Sequence, residues 1–97
     1  MLKDLVPSEF RLMQNYPNPF TRRTAIKYCV PQKCRVTITI RDSHDQDLEL
    51  LVDEEKVPGT YEVIWDAGDV PCGIYWCRMQ ADSFAKKKKM LLTSPNQ

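Results

Sequence analysis

Between Thr24 and Ile40 the chain alternates apolar and polar residues in two runs. In TAIKYCV, Ile26, Tyr28 and Val30 fall on one face, and in CRVTITI, Val36, Ile38 and Ile40 fall on one face with threonines opposite. A period of two marks half-buried strands, and the PQK that separates the runs makes a short turn. RDSHDQD reads as polar turn material, LELLV as a strand and DEEKVPG as a second loop. TYEVIW alternates again, with Tyr61, Val63 and Trp65 on one face; IYWCRMQ and SFAKKKKMLLT follow after DAGDVPCG, and FRLMQ near the start adds one more. No window longer than about ten residues repeats apolar positions at helical spacing. About seven short strands at spacings near ten residues predict an all-β fold, an immunoglobulin-like antiparallel β-sandwich. It spans residues 10–93, with 1–9 a linker, 94–97 a disordered tail and Trp65 the centrepiece of the core.

One stretch fits no regular element. QNYPNPF, residues 14–20, packs two prolines, two asparagines and two aromatic residues into seven positions. Pro17 and Pro19 fix φ and push Tyr16 and Asn18 towards extended geometry, while Asn15 and Asn18 cap local backbone amides in Asx-turns. Such a stiff segment suits the crossing from one sheet to the other, with Tyr16 and Phe20 plugging an open end of the sandwich.

Composition narrows the function. The chain has 97 residues, 42% of them hydrophobic, which suffices for one modest core. A net charge of +1 supplies no global field for nucleic acid or an anionic membrane, so any electrostatic function is local. No apolar run is long enough for a signal peptide or a transmembrane segment. The chain is therefore expected to be soluble, and an export signal, if there is one, belongs to a longer parent. Cys29, Cys34, Cys72 and Cys77 form two Cys-x4-Cys pairs. Zinc sites favour a tighter spacing of ligands, leaving a disulfide or buried free thiols as the open readings. On the strand parity, Cys77 shares the inward face of Tyr75 and Met79 while Cys29 points opposite to Tyr28, which argues against the inter-sheet bridge of antibody domains.

The charged stretches are ordinary for strands and turns. Asp42, Asp45, Asp47, Glu49, Asp53, Glu54 and Glu55 lack the glycine and flanking helices of a calcium loop. His44 is the only histidine and lies in a polar turn, so no nucleophile, base and orienter can be assembled, and an enzyme is not expected. The run Lys86, Lys87, Lys88 and Lys89 lies in the final strand. There it either keeps an edge from aggregating or orients a partner that adds a strand by β-augmentation. Only Phe84 lies near enough to stack a base, so nucleic acid is not the expected partner.

Five segments in order carry a family resemblance: F-x-L-x-Q-N-Y-P-N-P-F (Phe10 to Phe20), T-x-I-x-Y (Thr24 to Tyr28), G-x-Y-x-x-x-W-D (Gly59 to Asp66), G-I-Y-W (Gly73 to Trp76) and K-M-L-L (Lys89 to Leu92). Together they resemble the C-terminal sorting domain of type IX secretion cargo, a family that overlaps with the immunoglobulin-like domain of flagellar hook-capping proteins. The resemblance implies a non-catalytic address tag, without cofactor, at the end of an exported protein of Bacteroidota and related bacteria. The parent passes through the periplasm and reaches the cell surface or the medium. The implied partners are the outer-membrane secretion translocon, a surface sortase and the N-terminal cargo domain of the parent.

The implied recognition set is Gly59, Tyr61, Gly73, Tyr75, Lys89, Met90 and Leu92, with Lys86 to Lys89 as a basic docking run. Each of these residues also has a structural reading. Gly59 and Gly73 permit turns of positive φ before a strand, Tyr61, Trp65 and Tyr75 alternate towards a core, and Asp66 caps the AGDV turn. The sequence departs from the family at His44-Asp45-Gln46, where a glycine is usual and a looser turn is expected, in its cysteines, and at Thr93, where the family tends to end on a basic residue. A structural immunoglobulin-like module of an extracellular or hook-capping assembly is the alternative.

Overall fold

The computed structural model describes residues 6–94. Seven strands follow one another: β1 (Arg11–Leu12), β2 (Arg23–Val30), β3 (Cys34–Arg41), β4 (Asp47–Lys56), β5 (Gly59–Asp66), β6 (Gly73–Ala81) and β7 (Phe84–Leu92). They form two antiparallel sheets, one ordered β1-β2-β5 and the other β4-β3-β6-β7. This is the expected immunoglobulin-like sandwich. Strands one, two and five face strands three, six and seven, and β4 sits beside β3. The linker residues 1–5 and tail residues 95–97 lie outside the described residues.

The period-two pattern puts the side chains where it predicts. Ile26, Tyr28 and Val30 from one sheet meet Val36, Ile38, Ile40, Tyr75, Cys77 and Met79 from the other in a single core. Trp65 lies at its centre, 1% exposed. Its ring makes edge contacts with Phe20 at 5.7 Å and Tyr75 at 5.5 Å, and Nε1 donates to Glu49 Oε1 at 3.1 Å.

Two expectations about the hairpin of β3 and β4 fail. DEEK is strand, not loop: Arg35 pairs with Glu55, Val36 with Glu54 and Thr37 with Asp53. These acidic residues are weak strand formers. They extend the ladder because β4 is a sheet edge with side chains in water, and because Arg35 Nε holds Asp53 at 2.8 Å. The turn before β4 is also tight. Asp45 takes the left-handed conformation at φ 64° in place of a glycine, and Asp42 Oδ1 accepts from the amides of His44 and Gln46 at 2.8 and 3.0 Å. Those backbone hydrogen bonds, the Gln46 one foremost, hold the Asp42 carboxyl below its ordinary range.

Candidate functional site

The stiff segment at residues 14–20 lies along the outer edge of β7. Gln14 Nε2 donates to Lys89 O at 2.7 Å, the Leu91 amide donates to Asn18 Oδ1 at 2.9 Å, Phe20 N donates to Leu91 O at 3.0 Å, and Thr93 N donates to Phe20 O at 2.8 Å. Prolines suit this task, since they have no amide to leave unpaired: the segment bends at residues 17–19, with cis peptide bonds before Pro17 and Pro19, and needs no ladder bonds on both sides. Asn15, 3% exposed, braces it from within: its Nδ2 donates to Pro17 O at 3.1 Å and to Thr24 Oγ1 at 2.9 Å. Phe20 plugs the core as expected. Tyr16 does not: it is 80% exposed, because Tyr16 pairs backbone to backbone with Ala25 and its ring points away from the core. Asn18 caps the amide of Leu91, 73 residues along the chain, instead of a local one.

Both G-x-Y motifs are turn locks. Tyr61 Oη donates to Val57 O at 2.6 Å, and Tyr75 Oη donates to Pro71 O, each reaching four residues back across the connection that precedes its strand. Tyr75 thus occupies the tyrosine-corner position of immunoglobulin-like folds, two residues before Cys77. Tyr61 is half-buried, stacked on Tyr28 at 5.5 Å with Lys56 Nζ 4.8 Å from its ring centre. Asp66 caps its turn as expected, accepting from the Gly68 amide at 3.0 Å. Burial pushes the Asp66 carboxyl up, but the hydrogen bonds from Arg23 and the Gly68 amide and the charge of Arg22 outweigh it and hold it low.

The glycines divide. Gly73 has φ 147°, a region that side chains avoid, whereas Gly59 has no positive φ, contrary to expectation, and sits in the β2–β5 ladder opposite Val30. Gly68, at φ 60°, takes the left-handed position in the turn that Asp66 caps. Gly73→Ala therefore costs about 1–3 kcal/mol in a denaturant melt, although nothing stands within 4 Å of the new methyl group. Gly59→Ala, with the Tyr61 hydroxyl 3.4 Å from its Cβ, costs less. Equal losses would contradict the backbone origin.

Of the sequence-predicted recognition set, Tyr75, Met90 and Leu92 are buried in the core and offer nothing to a partner that meets the folded domain. Lys89 is exposed. It belongs to a patch that the sequence reading did not assemble, on the outer face of the four-stranded sheet. Trp76 lies between Lys87 Nζ, 4.7 Å from its ring centre, and Lys89 Nζ, at 5.8 Å. Ile74 and Leu91, each 37% exposed, pair across the strands next to it, and Arg78 pairs with Lys87. Parity along β6 and β7 is the signal that finds this face: Ile74, Trp76 and Arg78 are out of phase with the inward Tyr75 and Cys77.

Lys86 and Lys88 lie on the side of Met90, paired with the core residues Met79 and Cys77, with Lys86 exposed and Lys88 half-buried. Among the described residues the β7 edge open to an added strand is its first half, because Gln14–Phe20 already occupies the stretch from Lys89 onwards.

The four cysteines are free thiols, with Cys29, Cys34 and Cys77 buried and Cys72 exposed, so neither Cys-x4-Cys pair is bridged. Cys77 faces the core as its parity predicts, and burial pushes its thiol up to about 12. Cys29 lies on the other face of its sheet, 3.7 Å from Thr60 Oγ1 and beneath the segment before β1. Among the described residues no group of three His, Cys, Asp or Glu side chains comes together to hold a metal ion. No family model, curated protein or solved structure matches the chain.

Proposed function

We propose that this domain is a non-catalytic sorting module that directs an exported parent protein through a type IX secretion translocon to the cell surface. What carries the reading is the meeting of its first and last family-like segments: QNYPNPF is hydrogen-bonded along K-M-L-L, from Lys89 to Thr93. A terminal strand pinned in one register by a rigid clamp is a suitable object for a receptor, because little ordering entropy remains to be lost on docking. The receptor meets the exposed face of β6 and β7, where Trp76 and Leu91 supply apolar area and Lys87 and Lys89 supply orientation. Tyr75, Met90 and Leu92 act through the fold.

The test is a reporter carrying a signal peptide and residues 1–97, expressed in a bacterium with a working type IX system. Surface display or release is expected for the native sequence, with at least about a tenfold loss for the double variant Lys87→Ser, Lys89→Ser, whose fold is checked by circular dichroism. Retention of a folded native fusion in the periplasm would overturn the sorting role and favour a structural module of an extracellular assembly.

A further inference from the structure

The two edges of the four-stranded sheet carry opposite charge. The β3–β4 hairpin has seven carboxylates against Arg35, Arg41 and Lys56, a net charge of −4, and the β6–β7 hairpin has Arg78 and four lysines against Asp82, a net charge of +4. β4 and β7 are the outer strands, each paired with another strand of the sheet on one side only. In β7 the outward backbone groups of Lys89, Leu91 and Thr93 meet Gln14, Asn18 and Phe20, and alternation carries the same outward row back to Lys87 and Ala85, which have no partner there among the described residues. In β4 the register shifts opposite Ile38–Thr39 and Ile40–Arg41 disturb the first half of the strand, leaving Val52–Lys56 regular. Each edge thus presents about five residues of regular, open strand.

We infer that copies of this chain associate head to tail, the acidic second half of β4 in one copy pairing with the basic first half of β7 in the next. An antiparallel register that continues the sheet sets Glu55 opposite Lys87 on the outer face and Glu54 opposite Lys88 on the other. Among the described residues Glu55 and the four lysines make no ion pair, while Asp53 and Glu54 are held by Arg35 and Lys56 with their side chains still partly in solvent. Lysines on an edge repel a second lysine edge, and acidic residues a second acidic one. Like-with-like pairing is thereby disfavoured and the β4–β7 combination remains. Such an interface is heterologous and does not close, so the assembly grows with concentration instead of stopping at a dimer.

The experiment is sedimentation velocity of the 97-residue chain over a concentration series, at about 0.02 M and about 0.5 M salt, on either side of the ionic strength that screens surface charge. Expected are open-ended association at low salt and at least about a tenfold weakening at high salt. Two charge-reversed variants test the edges: Lys87→Glu with Lys88→Glu, and Glu54→Lys with Glu55→Lys. Each alone should be monomeric, and the two mixed should associate again, since one retains the acidic β4 and the other the basic β7. Recovery on mixing also excludes misfolding as the cause of the losses. A native chain that stays monomeric at all concentrations, or variants that associate as the native chain does, would overturn the inference.

Discussion

Trp65→Ala lowers the stability of the domain by about 3–5 kcal/mol in urea unfolding followed by circular dichroism. The ring is almost wholly buried and touches both Phe20 and Tyr75 edge-on, so its loss removes apolar burial and two aromatic contacts at once. The core is close-packed from both sheets and cannot collapse into the gap. For a domain whose total stability lies in the range of about 5–15 kcal/mol, this is a large share. Losing the bond to Glu49 adds little, because the glutamate is exposed and water replaces the indole N–H. A loss under about 1 kcal/mol would mean that Trp65 does not hold the sheets together. Trp76→Ala is the control. Its ring lies on the outer face beneath lysines, so its loss should cost about 1 kcal/mol or less.

Phe20→Ala is expected to cost a similar amount, about 3–5 kcal/mol, but with a local signature. The Phe20 side chain is 2% exposed and anchors the clamp, while its backbone N–H and C=O bond Leu91 and Thr93. Without the anchor the clamp opens before the sheets do. Hydrogen exchange at Leu91 and Thr93 should then accelerate more than exchange in the centre of β3, where both neighbours remain in place. Asn18→Ala removes only the acceptor for the Leu91 amide, and about 1 kcal/mol is expected. Uniform acceleration across the domain in Phe20→Ala would show that the clamp and the sandwich open as one unit.

These predictions separate the two kinds of information in the chain. Strand existence, facing and the choice of core residues were legible from the period of two, because side-chain direction is a local property of extended backbone. Ile26, Tyr28, Val36, Ile38, Trp65 and Cys77 all point where their parity places them. Asp66 as a turn cap was legible for a similar reason, since its partner is two residues away.

Partners distant along the chain were not legible. The purpose of QNYPNPF depends on Leu91 and Thr93, which no local pattern brings near residue 18. The same holds for DEEK, whose low strand propensity was overruled by a neighbouring strand that offered a complete ladder and an arginine. Tyr16 was misplaced because an aromatic residue signals burial only on average, and here backbone pairing decided which way its ring points. The Trp76 face and the charge of the two sheet edges needed the strand order. The sequence by itself determined which residues of each strand face inwards, for that follows from covalent geometry and hydrophobicity. Only the tertiary structure decided which strands are edges, what covers them and which charges they leave to solvent, because those are properties of how distant segments meet.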